Sequence, residues 1–188
     1  QTTELAEYML LDAEHLMEEE ARREGVLPIY EKKDVDEAMR IWSGVSYGEN
    51  FEVIPGVSAV AKDAGHVLGS AMYEINIAEP ADSRRLNADR RGKNSESHGS
   101  LKVVFTGDLG NSPSPLLRDT EVINDADYMI MESVYGDRNH ENVEERRQKL
   151  KEAILLSIKK GGALLIPIFS LEKTQVILYE MNSLVESG

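Results

Sequence analysis

Cysteine is absent from all 188 residues, which excludes disulfides and thiolate metal sites, so any bound metal must be held by imidazole and carboxylate. Such ligands suit zinc, manganese or iron without choosing among them. Histidine is scarce as well: the four are His15, His66, His98 and His140, and none follows position 140. No apolar run is long enough to cross a bilayer and the first residues do not read as a secretory signal, so no membrane is expected and a cytoplasmic setting is the default. Positive charge is in deficit. Against 34 Asp and Glu there are 21 Lys and Arg, a formal charge of −13. Phosphate binding draws most of its affinity from Lys and Arg, so this chain is not expected to be the main electrostatic surface for a nucleic acid. The acidic runs Glu18-Glu19-Glu20 and Glu141 to Glu145 fall on predicted helices and read as solvated faces.

The 41% hydrophobic content and the length allow one globular unit with a sizeable core. Leu5, Tyr8, Met9, Ala13, Leu16 and Met17 recur at helical spacing after Thr3, a capping candidate, which predicts a helix from about 4 to 23 closed by Gly25. Val35 to Ile41 reads as a second short helix. Phe51 to Ile54, Val57 to Lys62 and Met72 to Ile77 read as strands, broken by Pro55-Gly56 and a glycine-flanked histidine loop. Residues 78 to 100 contain almost nothing apolar and read as a surface loop, with a small basic contact for phosphate as the alternative. His98 lies in it and is expected to be idle. Lys102 to Thr106 and Tyr128 to Met131 read as strands. A helix starts near Asn142 and ends at Gly161-Gly162, Ala163 to Ile166 reads as a buried strand, and Ser170 is expected to cap a last helix. His15 falls on the polar flank of the first helix.

Three strand ends each deliver one metal-compatible or acid-base side chain. His66 sits in Asp63-Ala64-Gly65-His66-Val67-Leu68-Gly69-Ser70-Ala71, Asp108 in Phe105-Thr106-Gly107-Asp108-Leu109-Gly110, and Glu132 in Met131-Glu132-Ser133-Val134-Tyr135-Gly136-Asp137-Arg138. Glycines 65, 69, 107 and 110 let the backbone turn sharply beside each ligand and leave room for ions and substrate. Taken singly, a histidine in a glycine-rich turn is more often structural, and Gly-Asp-Leu-Gly is commonly a plain turn. Asp63 is either an acceptor orienting the neighbourhood of His66 or a turn former, and the sequence leaves both open.

Together and in this order, these segments resemble the metallo-β-lactamase superfamily, and within it the β-CASP branch of nucleic-acid-processing hydrolases. Glu132-Ser133-Val134-Tyr135-Gly136 is similar to the first β-CASP motif, with Val134 where threonine is usual. Ile166-Pro167-Ile168-Phe169-Ser170-Leu171-Glu172-Lys173-Thr174-Gln175 resembles the strand-to-helix entry of the β-CASP insert, with Lys173 where arginine is usual. The main metal signature of the superfamily, His-x-His-x-Asp-His, is absent, and so are the two later β-CASP histidines. Gln1 to Ala6 resembles the segment that follows the His-rich motif. The expectation is therefore an internal fragment carrying half of a metal site, inactive by itself.

The resemblance implies an α/β fold: part of a four-layer α/β/β/α sandwich over residues 1–136, continuing into the start of a β-CASP domain over 137–188. It implies a two-metal hydrolase, with zinc the favoured ion, that cleaves RNA phosphodiester bonds internally, from an end, or both. RNA is preferred over DNA, and a homodimer is left open. His66 and Asp108 are the expected metal ligands, Asp108 bridging two ions because one carboxylate can give an oxygen to each. Glu132 is expected to support general-acid catalysis by orienting a histidine that this chain does not contain. His140 is expected to face substrate or start a helix, with a metal role less favoured. The rival readings are a small-molecule hydrolase of the same fold, which would lack the Pro167 to Gln175 segment, and a non-catalytic scaffold subunit, which would be expected to have lost the ligands.

Overall fold

The computed structural model describes residues 1–78, 100–139 and 142–187. The described residues form four helices and one five-stranded sheet: α1 (Thr2–Glu24), α2 (Lys32–Ile41), β1 (Asn50–Ile54), β2 (Val57–Asp63), β3 (Ala71–Ala78), β4 (Ser100–Phe105), β5 (Tyr128–Ile130), α3 (Val143–Lys160) and α4 (Lys173–Glu186). The mixed α/β class read from the sequence agrees with this architecture. The loop expected over residues 78 to 100 is narrower at both ends, since Ala78 closes β3 and Ser100 opens β4; its remainder, with the phosphate-contact expectation, and the expectations for His98 and His140 rest on residues outside the described set.

α1 ends where expected. Gly25 takes φ 71°, a left-handed value that costs a glycine no Cβ clash, and its N–H donates to the Ala21 carbonyl. Charged pairs four residues apart line its surface, Arg22 to Glu18 at 2.6 Å and Arg23 to Glu19 at 3.5 Å, each adding a few tenths of a kcal/mol. His15 joins them, 3.7 Å from Glu19. Thr3 is not the cap. The helix begins at Thr2 with Gln1 in the capping position, and the Thr2 hydroxyl donates instead to the Gly69 carbonyl at 2.6 Å, tying the helix start to the histidine loop.

The sheet order is β1-β2-β3-β4-β5. β1 to β4 form an antiparallel meander, and β5 returns parallel to β4. Residues 106 to 127 make that crossover, and the site lies at its start. Because side chains alternate across a strand, the registers put Tyr73, Phe105 and Ile130 on one face, with Ile77, Leu101, Val103 and Tyr128 beside them. That face stays largely open: Tyr73, Ile77, Phe105, Tyr128 and Ile130 are all exposed. The opposite face holds Met72 and Val104, both buried. There Lys62 reaches Glu121 at 3.4 Å and Lys102 reaches the Asn124 carbonyl at 3.3 Å, so the crossover runs over it.

Two expectations fail beyond β5. Ala163 to Ile166 is not a strand, and Leu165 is 88% exposed rather than buried. An apolar run becomes a strand only against a ladder partner, and no described strand lies beside it. Ser170 does not cap α4. Glu172 holds the capping position at φ 64°, and the Ser170 carbonyl accepts instead from the Gln175 amide at 3.2 Å.

Candidate metal centre

β2 ends at Asp63, and the seven residues before β3 are folded by their own short side chains. Asp63 Oδ1 accepts from the Gly65 N–H at 2.8 Å, an Asx turn made possible by Gly65 at φ 63°. Ser70 Oγ accepts from the backbone N–H groups of His66, at 3.1 Å, and Val67, at 3.2 Å. The Ser70 carbonyl takes the Ala64 N–H at 3.2 Å and the Tyr47 hydroxyl at 2.7 Å. Burial pushes the Tyr47 phenol up from its ordinary range, and the charge of Asp63 adds to the effect. This closed loop fixes where the His66 Cβ points.

β4 ends one residue before Thr106, which is buried and carries the ladder one step further by donating its N–H to the Ile130 carbonyl at 3.0 Å. Gly107 turns at φ 55° and presents Asp108. The loop then crosses the histidine loop backbone to backbone, Gly110 N–H donating to the Ala64 carbonyl at 2.8 Å. From the other side the crossover clips onto the end of β2. Thr120 Oγ1 donates to the same Ala64 carbonyl at 2.9 Å, the Glu121 N–H donates to the Asp63 carbonyl at 3.0 Å, and the Asp63 N–H donates back to Glu121 Oε1 at 3.1 Å.

These contacts bring His66 and Asp108 together. His66 Nδ1 lies 3.2 Å from the Leu109 carbonyl, which can only accept, so Nδ1 carries the proton in this contact. In the neutral ring Nε2 is then the free lone pair. It faces Asp108 Oδ2 at 3.8 Å, with the two side chains 40% and 74% exposed to solvent. That separation is too long for a hydrogen bond. Two donors on one zinc, each about 2.0–2.2 Å from it, lie at most about 4.3 Å apart, and the pair falls inside that limit. His66 and Asp108 are thus close enough for both to reach one cation, at an angle wider than the tetrahedral one that zinc favours. Among the described residues no group of three or more His, Asp or Glu converges on a metal position, so the remaining ligands of a closed site are not in that set.

Glu132 stands one step behind. Its Oε1 accepts from the Leu109 N–H at 2.5 Å, and its own N–H donates to Thr106 Oγ1 at 3.4 Å. It thus meets the Asp108 loop through the backbone. Sequence reasoning did not single out Ser70, Tyr47, Thr120 or Glu121. The Gly69-Ser70 pair carried a local signal, since a serine closing a turn readily accepts from nearby N–H groups; the others bond across the fold, and no local pattern announces them.

No family model matches the chain. Individual relatives do. An endoribonuclease of Kluyveromyces lactis, YSH1, is 31% identical over 151 residues, 80% of this chain and 17% of its own length. A ribonuclease of Thermus thermophilus is 30% identical over 178 residues, 95% of this chain and 34% of its own. The transcription termination factor FttA of Thermococcus kodakarensis is 26% identical over 167 residues, 87% of this chain and 23% of its own. The chain thus spans between about a sixth and a third of the length of these relatives. A sheet whose loops bring one histidine and one aspartate to the same rim, together with these matches, marks a metallo-β-lactamase superfamily chain. Within that superfamily the chain belongs to the β-CASP branch, the family of these ribonucleases.

Proposed function

We propose that the protein carrying this chain is a two-metal hydrolase that cuts RNA phosphodiester bonds, with zinc as the ion. The single observation that carries the proposal is the approach of His66 Nε2 to Asp108 Oδ2 at 3.8 Å on an accessible rim; the ribonuclease names of the relatives supply the substrate class. In this reading residues 1–136 are the later part of the metallo-β-lactamase core and 137–188 the start of the β-CASP domain. Supporting the division, the sheet strands pack on one another and α1 on α2, whereas neither α3 nor α4 has an extensive packing partner among the described elements. The open apolar face around Tyr73 and Phe105 is what the second sheet of a sandwich would cover. The protein is read as cytoplasmic; no described helix is long and apolar enough to cross a membrane.

Paired divalent ions, when bound, activate a water and neutralise charge on the phosphoryl oxygens. His66 would offer its Nε2 lone pair to such an ion, with the ring held by the Leu109 carbonyl at Nδ1. Asp108 would be a ligand as well, and its high exposure leaves room for a phosphate beside it. Glu132 holds the backbone between them. The net charge of −13 means that the RNA backbone is gripped by groups other than these acidic faces.

The test is cleavage of labelled RNA and of the matching DNA by the protein carrying this chain, beside its His66→Ala and Asp108→Asn variants. RNA cleavage that requires zinc and disappears in both variants is expected. Undiminished RNA cleavage by the variants, or preferential cleavage of DNA, would overturn the proposal. The 188-residue chain by itself is expected to bind zinc weakly and to turn over nothing. Two tightly held zinc ions per chain would refute the half-site.

A further inference from the structure

We infer that Glu132 is a positioning residue that sets the metal-facing nitrogen of His66 through the backbone of Leu109. The inference rests on the metal-site reading above. The segment from Asp108 to Gly110 belongs to no helix or strand, so its peptide planes stay where they are only if something pins them. Glu132 Oε1 takes the Leu109 N–H at 2.5 Å and fixes the peptide between Asp108 and Leu109. A bond from a backbone amide to a carboxylate oxygen is among the stronger kinds. The next peptide is held at one end by the Gly110 N–H on the Ala64 carbonyl, at 2.8 Å. Its other end, the Leu109 carbonyl, meets His66 Nδ1 at 3.2 Å.

Glu132 is itself tied to the sheet. Its N–H reaches Thr106 Oγ1 at 3.4 Å, and the Thr106 N–H bonds the Ile130 carbonyl at 3.0 Å. A continuous path therefore runs from the β4–β5 ladder through Thr106, Glu132 and Leu109 to the imidazole. Its effect on chemistry is specific. With a carbonyl fixed at Nδ1 the ring keeps its proton there, and Nε2 is presented as a lone pair toward Asp108. Without Glu132 the Leu109 carbonyl is held only from its Gly110 side, and a ring that loses this acceptor reverts to the mixture of tautomers, dominated by Nε2–H, that an unrestrained imidazole adopts. A cation would then first have to displace that proton.

The test is made on the full chain, free of metal and at alkaline pH, by nitrogen-15 NMR of the histidine rings, amide exchange, and zinc competition titration. In the unaltered chain His66 is expected in the Nδ1–H form, with the Leu109 amide slow to exchange. Glu132→Ala should shift His66 toward Nε2–H and weaken zinc binding about tenfold or more. Glu132→Gln, whose amide oxygen still accepts from Leu109, should restore both. A His66 ring that stays Nδ1–H in Glu132→Ala with unchanged zinc affinity overturns the inference, as does a Glu132→Gln that behaves like alanine. Should the alanine variant not fold, a Leu109 amide in the unaltered chain that exchanges at the free-peptide rate overturns it as well. Failure of the metal reading looks different: His66→Ala would leave zinc affinity untouched while the tautomer result held.

Discussion

Beneath the His66 and Asp108 side chains, Gly65 and Gly110 cross so closely that a Cβ on Gly110 would run into the Gly65 backbone, its carbonyl oxygen first. Gly110 does not need a left-handed φ, so its requirement is space alone. Gly110→Ala must push the two loops apart. We expect a loss of about 1–3 kcal/mol, the usual penalty for overpacking a tight contact, read from the urea midpoint, together with weaker zinc binding because the donors separate. Gly162→Ala, whose added methyl meets nothing, is the control and should change neither. If Gly110→Ala matches that control, the crossing does not hold the site. The meeting of His66 and Asp108 was legible in the sequence because their glycine-flanked motifs follow in the order of the family they resemble. Ser70 and Tyr47 were not, since a hydroxyl that closes a loop looks the same in sequence as one in water.

At the scale of elements, the strands legible as alternating apolar runs between turn signals recur in the structure with ends moved by a residue or two, and Gly25 and Gly161 close their helices at positive φ. Ala163 to Ile166 was misread because composition reports hydrophobicity and not the presence of a neighbour. What no pattern disclosed was the clip between the crossover and the end of β2. Glu121 makes it twice, with its backbone N–H on the Asp63 carbonyl and its carboxylate on the Asp63 N–H, while Lys62 sits 3.4 Å from the second carboxylate oxygen. Glu121→Ala removes the side-chain half and leaves the Asp63 N–H without that acceptor. The expected loss is about 1 kcal/mol, a typical net hydrogen bond, since the Lys62 pair is partly solvated and adds little. Faster exchange of the Asp63 amide should accompany it. Glu121→Gln keeps an acceptor and should recover most of the stability; equal losses in the two variants would shift the credit to the ion pair.

For the whole molecule, two surface properties act against each other. The sheet face bearing Tyr73, Phe105 and Ile130 is apolar and open, with Phe105 44% exposed, and contiguous apolar surface of this kind favours association. A net charge of −13 opposes it by making two copies repel. Salt decides between them. Screening shortens the reach of the repulsion from about 10 Å at 0.1 M to about 3 Å at 1 M, while burial of apolar surface is not weakened by it. The chain alone should therefore run as a monomer in dilute buffer and shift to larger species as salt rises, the opposite of an association held by ion pairs. The double variant Phe105→Ser with Ile130→Ser should remain monomeric at every salt concentration, because it removes the centre of the patch without altering charge. Sedimentation velocity across a salt series reads both. A parent chain that stays monomeric throughout, or a double variant that associates equally, would mean that the open face is not what brings copies together.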